Sequence, residues 1–374
     1  MKKELELYIH IPFCVKKCDY CDFFSRVASD EEKDSYVEAL LAEVRATEVA
    51  SEYEVVSIFF GGGTPSILSV APINAIISAI KERFVITTDA EITIECNPGT
   101  VDKEKLKGYK NCGINRLSFG LQSIDDDELL SLGRIHTYEE FLESYRVARA
   151  EGFDNISVDL MSGLPSQSLR SWQKTLKVIG KLNPMHISAY SLIVEEGTPF
   201  ASRELDLPDE IEERKMYEQT HEILASFGYQ QYEISNYAKE GFECRHNLGY
   251  WQRRDYLGFG AGSASLFNNV RYSNIKDLKA YQESSGEPSK IRCDIEFLDK
   301  DAVMEEFVFL GLRTMKGINN TEFEEEFDAS LRVVYGDKID RLVEQGLLDF
   351  DECDLRLTRK GISVSNYVFG ELLA

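Results

Sequence analysis

At 374 residues the chain has room for one large domain and a smaller one. Its formal net charge of −23 argues against nucleic acid, whose phosphates are gripped by Lys and Arg clusters, and against docking on anionic lipid. No apolar run approaches the roughly 18 residues of a membrane helix. The opening M-K-K-E-L-E-L-Y-I-H has no signal-like apolar region, and eight cysteines without a secretory signal suit a reducing, cytoplasmic compartment.

In chain order, apolar or alternating runs predict strands at 5–11, 55–60, 92–96, 115–119, 156–161 and 186–194. Most look too continuously apolar for a sheet with one wet face and read as buried parallel strands. Helices are predicted between them at 31–49, 70–84, 102–112, 138–152, 169–182 and 209–228. The first puts Tyr36, Val37, Leu40, Leu41 and Val44 on one face, and Ser29 with Glu32 forms a capping-box pattern at its start. Six strand–helix repeats predict an α/β fold, a parallel sheet curled into a whole or partial barrel. The expected division is a core over 1–230, a connecting segment over 231–298 and a small domain over 299–374. In the last, helices at 302–315, 321–327 and 331–345, a hairpin near 347–358 and a closing helix at 362–373 follow a winged-helix-like α+β order. Glu322, Glu324, Glu325, Glu326 and Asp328 make that unit acidic, so it reads as a cover rather than a DNA grip.

Residues capable of chemistry cluster just after the strands, at the edge where parallel sheets bind ligands. The first strand runs into F-C-V-K-K-C-D-Y-C, with Cys14, Cys18 and Cys21. Three thiolates can hold three corners of a [4Fe–4S] cube and leave the fourth iron open. A disulfide would leave an odd thiol, a zinc site would need His10 as fourth ligand, and a ferredoxin loop orders its intervals differently. G-G-G-T-P (61–65) follows the second strand; glycines there admit a close ligand or a tight turn. Glu95, Gln122, Arg134 and Asp159 stand at later strand ends, where each alone is as consistent with an ordinary turn residue as with a ligand contact.

The C-x3-C-x2-C spacing resembles the radical S-adenosylmethionine (SAM) superfamily, whose open iron is chelated by SAM. Y-I-H-I-P-F-C (8–14), G-G-G-T-P (61–65), R-L-S-F-G-L-Q-S (116–123), G-R (133–134) and D-L-M-S-G-L-P (159–165) are similar to the oxygen-independent coproporphyrinogen oxidase family over almost the whole chain. That resemblance implies a radical SAM partial (β/α)6 barrel. It implies a cluster on Cys14, Cys18 and Cys21, and Tyr8, Gly62 and Glu95 contacting the SAM on it. Tyr20, Gly63, Thr64, Gln122, Arg134, Asp159 and Ile193 match a second SAM site in the oxidase branch. True oxidases carry a fourth Cys two residues after the third, where Phe23 stands, and an N-terminal arm, whereas seven residues precede Tyr8 here. Both departures point to the HemW-type haem-chaperone branch. So does H-N-L-G-Y-W: His246 as an axial ligand for haem, Asn247, and Tyr250 and Trp251 as flat faces for a porphyrin. Cys244 could supply a thiolate instead, and His246 and Trp251 could equally be packing residues.

The expectation is a haem chaperone that binds a [4Fe–4S] cluster, SAM and haem and passes haem to acceptors such as respiratory haem proteins, with a flavodoxin or ferredoxin as reductant. The alternative is a coproporphyrinogen III oxidase, in which reduced SAM yields a 5′-deoxyadenosyl radical that leads to decarboxylation of propionate side chains. A radical SAM enzyme with another substrate is the third reading.

Overall fold

The computed structural model describes residues 2–351 and 353–373. Its frame is six strand–helix repeats. They are β1 (Lys3–Ile11) and α1 (Asp30–Ala46), β2 (Tyr53–Gly62) and α2 (Val70–Arg83), and β3 (Ile86–Cys96) and α3 (Lys103–Cys112). Next come β4 (Arg116–Gln122) with α4 (Asp126–Ser131) and α5 (Tyr138–Ala150), β5 (Asn155–Ser162) and α6 (Leu169–Leu182), and β6 (His186–Ser191) and α7 (Glu210–Ser226). Side-chain caps start most of these helices, α2 excepted: the Ser29–Glu32 box is formed on α1, a Thr137–Glu140 box on α5, and Asp102, Ser168 and Asp209 cap α3, α6 and α7.

The remaining strands are short: β7 (Gln230–Gln231), β8 (Asn236–Ala238), and, after α8 (Arg245–Trp251), β9 (Tyr256–Phe259), β10 (Ala264–Phe267) and β11 (Val270–Asn274). Helices α9 (Leu278–Ser284) and α10 (Pro288–Ile291) lead to β12 (Arg292–Phe297). All twelve strands form one sheet in the order β12-β11-β10-β9-β1-β2-β3-β4-β5-β6-β8-β7. β9 and β1 to β6 run parallel, while the flanking strands pair antiparallel. The result is an α/β partial barrel. The stretch 231–298 contributes to both of its edges, through β8 on β6 and β9 on β1.

The strands are not apolar on both faces, as the runs suggested; they alternate with a period of two, which β2 shifts by one residue at a bulge between Val55 and Ser57. Leu5, Leu7, Ile9 and Ile11 of β1, Ile92 and Ile94 of β3, Leu117 and Phe119 of β4, and Ile156, Val158 and Leu160 of β5 pack outward in one core with the helices. The intervening positions turn a polar face into the barrel: Glu6 and Tyr8, Ser57, Glu91 to Glu95 in steps of two, Arg116 and Ser118, Ser157 and Asp159, His186 and Ser188. Most of these are themselves buried. The barrel therefore has an apolar jacket and a charged interior, a lining suited to a polar ligand.

Glu43 of α1 pins the 231–298 stretch to the core. Its carboxyl accepts from the Gly260 N–H (2.8 Å), the Tyr281 hydroxyl (2.6 Å) and Asn274 Nδ2 (2.7 Å). Burial pushes this carboxyl up to about 7, against the pull of those three donors.

A second apolar core lies in α11 (Lys300–Gly311), β13 (Ile318–Asn319), α12 (Asn320–Phe327), α13 (Leu331–Glu344), β14 (Leu348–Phe350), β15 (Asp354–Leu357), α14 (Arg359–Ile362) and α15 (Ser365–Leu373). Its three strands pair antiparallel in the order β13-β15-β14, the helix–helix–hairpin order of a winged helix. The single closing helix expected at 362–373 is divided into α14 and α15, the former capped by the Thr358 hydroxyl. The sixth strand ends at Ser191 rather than 194, and residues 192–194 leave the sheet. No described helix is long and apolar enough to cross a membrane.

Candidate functional site

The barrel encloses a cavity of about 530 Å3 at the C-terminal ends of its strands, where parallel sheets place their ligands. Cys14, Cys18, Tyr20, Cys21, Gly62, Gly63, Thr64, Glu95, Gln122, Arg134, Asp159, Ile193 and Asn247 all line it. Tyr8, His246, Tyr250 and Trp251 do not.

The three loop cysteines are partly exposed, and all eight thiols of the chain are free, so the disulfide alternative fails. The zinc alternative loses its fourth ligand. His10 is buried, with Nδ1 paired to the Tyr8 hydroxyl (3.1 Å) and Nε2 to the Phe24 carbonyl (2.9 Å), so it braces the loop instead. Among the described residues no three His, Cys, Asp or Glu side chains converge as for a single ion; a cube that takes one thiolate per corner makes no such demand. The surroundings fit a cluster. Thr64 Oγ1 donates to Cys14 Sγ and Arg134 Nη1 to Cys18 Sγ, each at 3.6 Å, within sulfur's longer reach. Hydrogen bonds to the sulfurs are among the features that tune iron–sulfur clusters. Burial pushes the Cys21 thiol up, a shift that bound iron would reverse.

Asn97, which the strand-end reading passed over, ties these donors together. Its Oδ1 accepts from Arg134 Nη2 (2.9 Å), while its Nδ2 donates to Thr64 Oγ1 (2.9 Å); Arg134 Nη2 also donates to the Gly120 carbonyl. The glycine loop supplies close approach rather than mere turning. A Cβ on Gly63 would meet the Phe13 carbonyl at 2.6 Å and Cys14 Sγ at 2.9 Å, and Gly62 has φ +115°. At the end of β4, Gln122 adopts φ +74° at a register shift against β5. That conformation costs a non-glycine residue about 1 kcal/mol or more, and it carries the side chain to the Tyr190 hydroxyl, which donates to Oε1 at 3.0 Å.

The cavity floor is acidic. Burial, then the charge of neighbouring Asp159, pushes the Glu95 carboxyl up to about 8, although the Gly62 N–H donates to it. Burial also raises Asp159, against the hydroxyls of Ser188, Ser118 and Ser157 and the charge of Arg116. Two neighbouring carboxyls, both shifted upward, would be drawn back toward the ionised form by a cation placed beside them.

The H-N-L-G-Y-W helix, α8, plugs the barrel from within. Glu91 of β3 accepts the N–H groups of Arg245 (3.3 Å) and His246 (3.4 Å) at its N-terminus. His246 is 1% exposed; its Nδ1 pairs with the Ser57 hydroxyl (2.8 Å) and its Nε2 with the Tyr250 hydroxyl (3.0 Å). Burial, with the charges of Arg116 and Arg254, lowers it to about 3, so the ring is neutral. Its ring stacks on Phe59 at 5.1 Å. Neither nitrogen is free for iron in this arrangement. Tyr250 packs edge-on against His246 and Tyr256, and Trp251 lies under the Arg313 guanidinium at 4.5 Å, bridging to the second core. Of the motif, Asn247 meets the cavity, together with Cys244 just before it. Burial holds the Cys244 thiol far above its usual range, which disfavours a thiolate there.

Arg116, Ser118, Ser188 and Asn236 also line the cavity and were missed. The alternation of each strand was the signal that could have found the first three.

Residues 8–179 match the Radical SAM superfamily and residues 298–364 the HemN C-terminal domain. The chain is 35% identical to Heme chaperone HemW of Lactococcus lactis, over 100% of this chain and 98% of that protein. It is 37% identical to Heme chaperone HemW of Bacillus subtilis, over 98% of each. The structure superposes on that of coproporphyrinogen III oxidase (HemN) from Escherichia coli, a radical SAM enzyme, with a TM-score of 0.87 at 27% identity, covering 99% of this chain and 90% of that one. Full-length identity of this order places the chain with the chaperones it resembles: it belongs to the HemW heme chaperone family, within the radical SAM superfamily.

Proposed function

We propose that the protein is a haem chaperone in which Cys14, Cys18 and Cys21 hold a [4Fe–4S] cluster, SAM occupies the barrel cavity, and haem is bound and delivered to acceptor haem proteins. The observation that carries this reading is the meeting, in one cavity, of the three-thiol loop, the glycine loop and the acidic floor. When bound, the cluster supplies an open iron site and one-electron reducing power. The chain's own groups do the rest. Gly63 lets the cysteine loop pack close and Gly62 lets the chain pass His10. Glu95 and Asp159 offer acceptors to the ligand's cationic and hydroxyl groups, and Gln122, with Arg134 once it exchanges a partner, would meet its carboxylate. A ferredoxin or flavodoxin is the class of donor suited to reducing such a cluster.

Phe23 in the place of the oxidases' fourth cysteine favours the chaperone over coproporphyrinogen oxidation. Anaerobically reconstituted, reduced protein incubated with coproporphyrinogen III and SAM is expected to form no protoporphyrinogen above the cluster-free control. Repeated turnover in that assay would install the oxidase reading instead.

A further inference from the structure

The structure separates the place fit for SAM from the place fit for a macrocycle. The cavity interior carries Glu95, Arg116, Arg134 and Asp159. Covering such groups with an apolar porphyrin face is unfavourable for each one left without a partner. A volume of about 530 Å3 suits one ligand of SAM's size, not that ligand and a haem together. His246 is enclosed with both nitrogens engaged.

The mouth has the opposite character. Phe23 and Ile193 come from separate loops, both line the cavity, and each is 68% exposed; Val194 beside the latter is 37% exposed. Apolar side chains gathered bare at the rim of a ligand cavity mark a binding surface rather than ordinary surface scatter. Charges of both signs stand with them: Lys16, Asp22 and Glu195 line the same cavity, and Lys17 Nζ donates to the Phe23 carbonyl at 2.9 Å, which puts two cations beside Phe23. In a chain of net charge −23, two lysines beside a bare apolar lip match a flat apolar molecule with carboxylate arms.

Building on the haem reading above, we propose that haem is held at the cavity mouth, its faces against Phe23 and Ile193 and its propionates toward Lys16 and Lys17, and not at His246. The residues 192–194 that leave the sheet after β6 supply one side of this seat and the turn after Cys21 the other. Haem placed there is at the surface, within reach of an acceptor protein, and can depart without the barrel opening.

The test is an anaerobic haem titration of the reconstituted full-length protein, without SAM, followed at the Soret band. Phe23→Ser and Ile193→Asp are expected to weaken haem binding at least about tenfold while the cluster absorbance is retained; both side chains are exposed, so the fold stands. His246→Gln, which keeps a donor and an acceptor for Tyr250 and Ser57, is expected to titrate like the parent. Parent-like titration by both rim variants, or loss of haem by His246→Gln alone, overturns the proposal. A parent protein that binds no haem defeats the haem reading itself, and is told apart by that control.

Discussion

Cys18→Ser is expected to abolish the iron–sulfur cluster. The broad visible absorbance after anaerobic reconstitution should vanish, and bound iron should fall by more than the roughly 100-fold that loss of a mere supporting partner costs a metal site. The reason is that the two thiols lining the cavity outside the loop, Cys96 and Cys244, are held protonated by burial and are no ready replacement. Cys96, Cys112 and Cys244 are buried within the fold, and a serine hydroxyl is not ionised near neutral pH as a thiolate is. The apo fold should be unaffected to within about 0.5 kcal/mol, since Cys18 is a partly exposed loop residue. Cys293→Ser, on the edge strand β12, is the control that should reconstitute fully. Retention of a full cluster by the Cys18 variant would refute the ligand assignment.

The second large effect is expected at Gly249, inside α8. On helix propensity alone, Gly249→Ala should stabilise by roughly 1 kcal/mol. Packing reverses the sign. A Cβ at this position would overlap the carboxylate of Glu6, which is fully buried and receives Arg254 Nη1 at 2.8 Å. Overpacking of this kind costs about 1–3 kcal/mol, and pushing the carboxylate off Arg254 leaves buried polar groups without partners at a further 1–3 kcal/mol. The net expectation is a loss of roughly 2–4 kcal/mol in urea unfolding. Adding Gly249→Ala to a Glu6→Ala background should then cost under about 1 kcal/mol, because the overlap is gone. Equal costs in the two backgrounds would show that α8 does not depend on this contact.

That contact also explains why the sequence was more legible in some places than in others. The cysteine loop could be read at once, since its ligand spacing lies within eight residues and the chain itself sets the geometry. The glycine loop and the strand-end acids followed from the rule that parallel strands present ligands at one edge, and Gly63, Glu95 and Asp159 do line the cavity. The helix H-N-L-G-Y-W was different. Its residue types suggest an exposed ligand set, but its place is fixed by partners far away in sequence. Glu91 holds its N-terminus, Glu6 meets Gly249, and Ser57 takes one nitrogen of His246. A one-sequence reading sees the histidine and not the hydroxyls waiting for it. Arg116 was missed for a related reason. It stands in the run 115–119, which reads as one continuous strand, whereas the period of two that turns Arg116 and Ser118 to the same side is the physical message. Asn97 is a short-range failure: it lies in the E-C-N-P-G turn, yet its worth comes from bridging Arg134 and Thr64, which belong to two other loops.

A haem chaperone must both take up haem and give it away. Full-length reconstituted protein should be loaded with one equivalent of haem under anaerobic conditions, mixed with an excess of an apo b-type cytochrome, and separated from it by size. The expected result is haem in the cytochrome fraction, its spectrum that of the native holo-form, with the cluster protein recovered haem-free and still brown. Failure to load, or haem that stays put in the presence of excess acceptor, would contradict the chaperone reading.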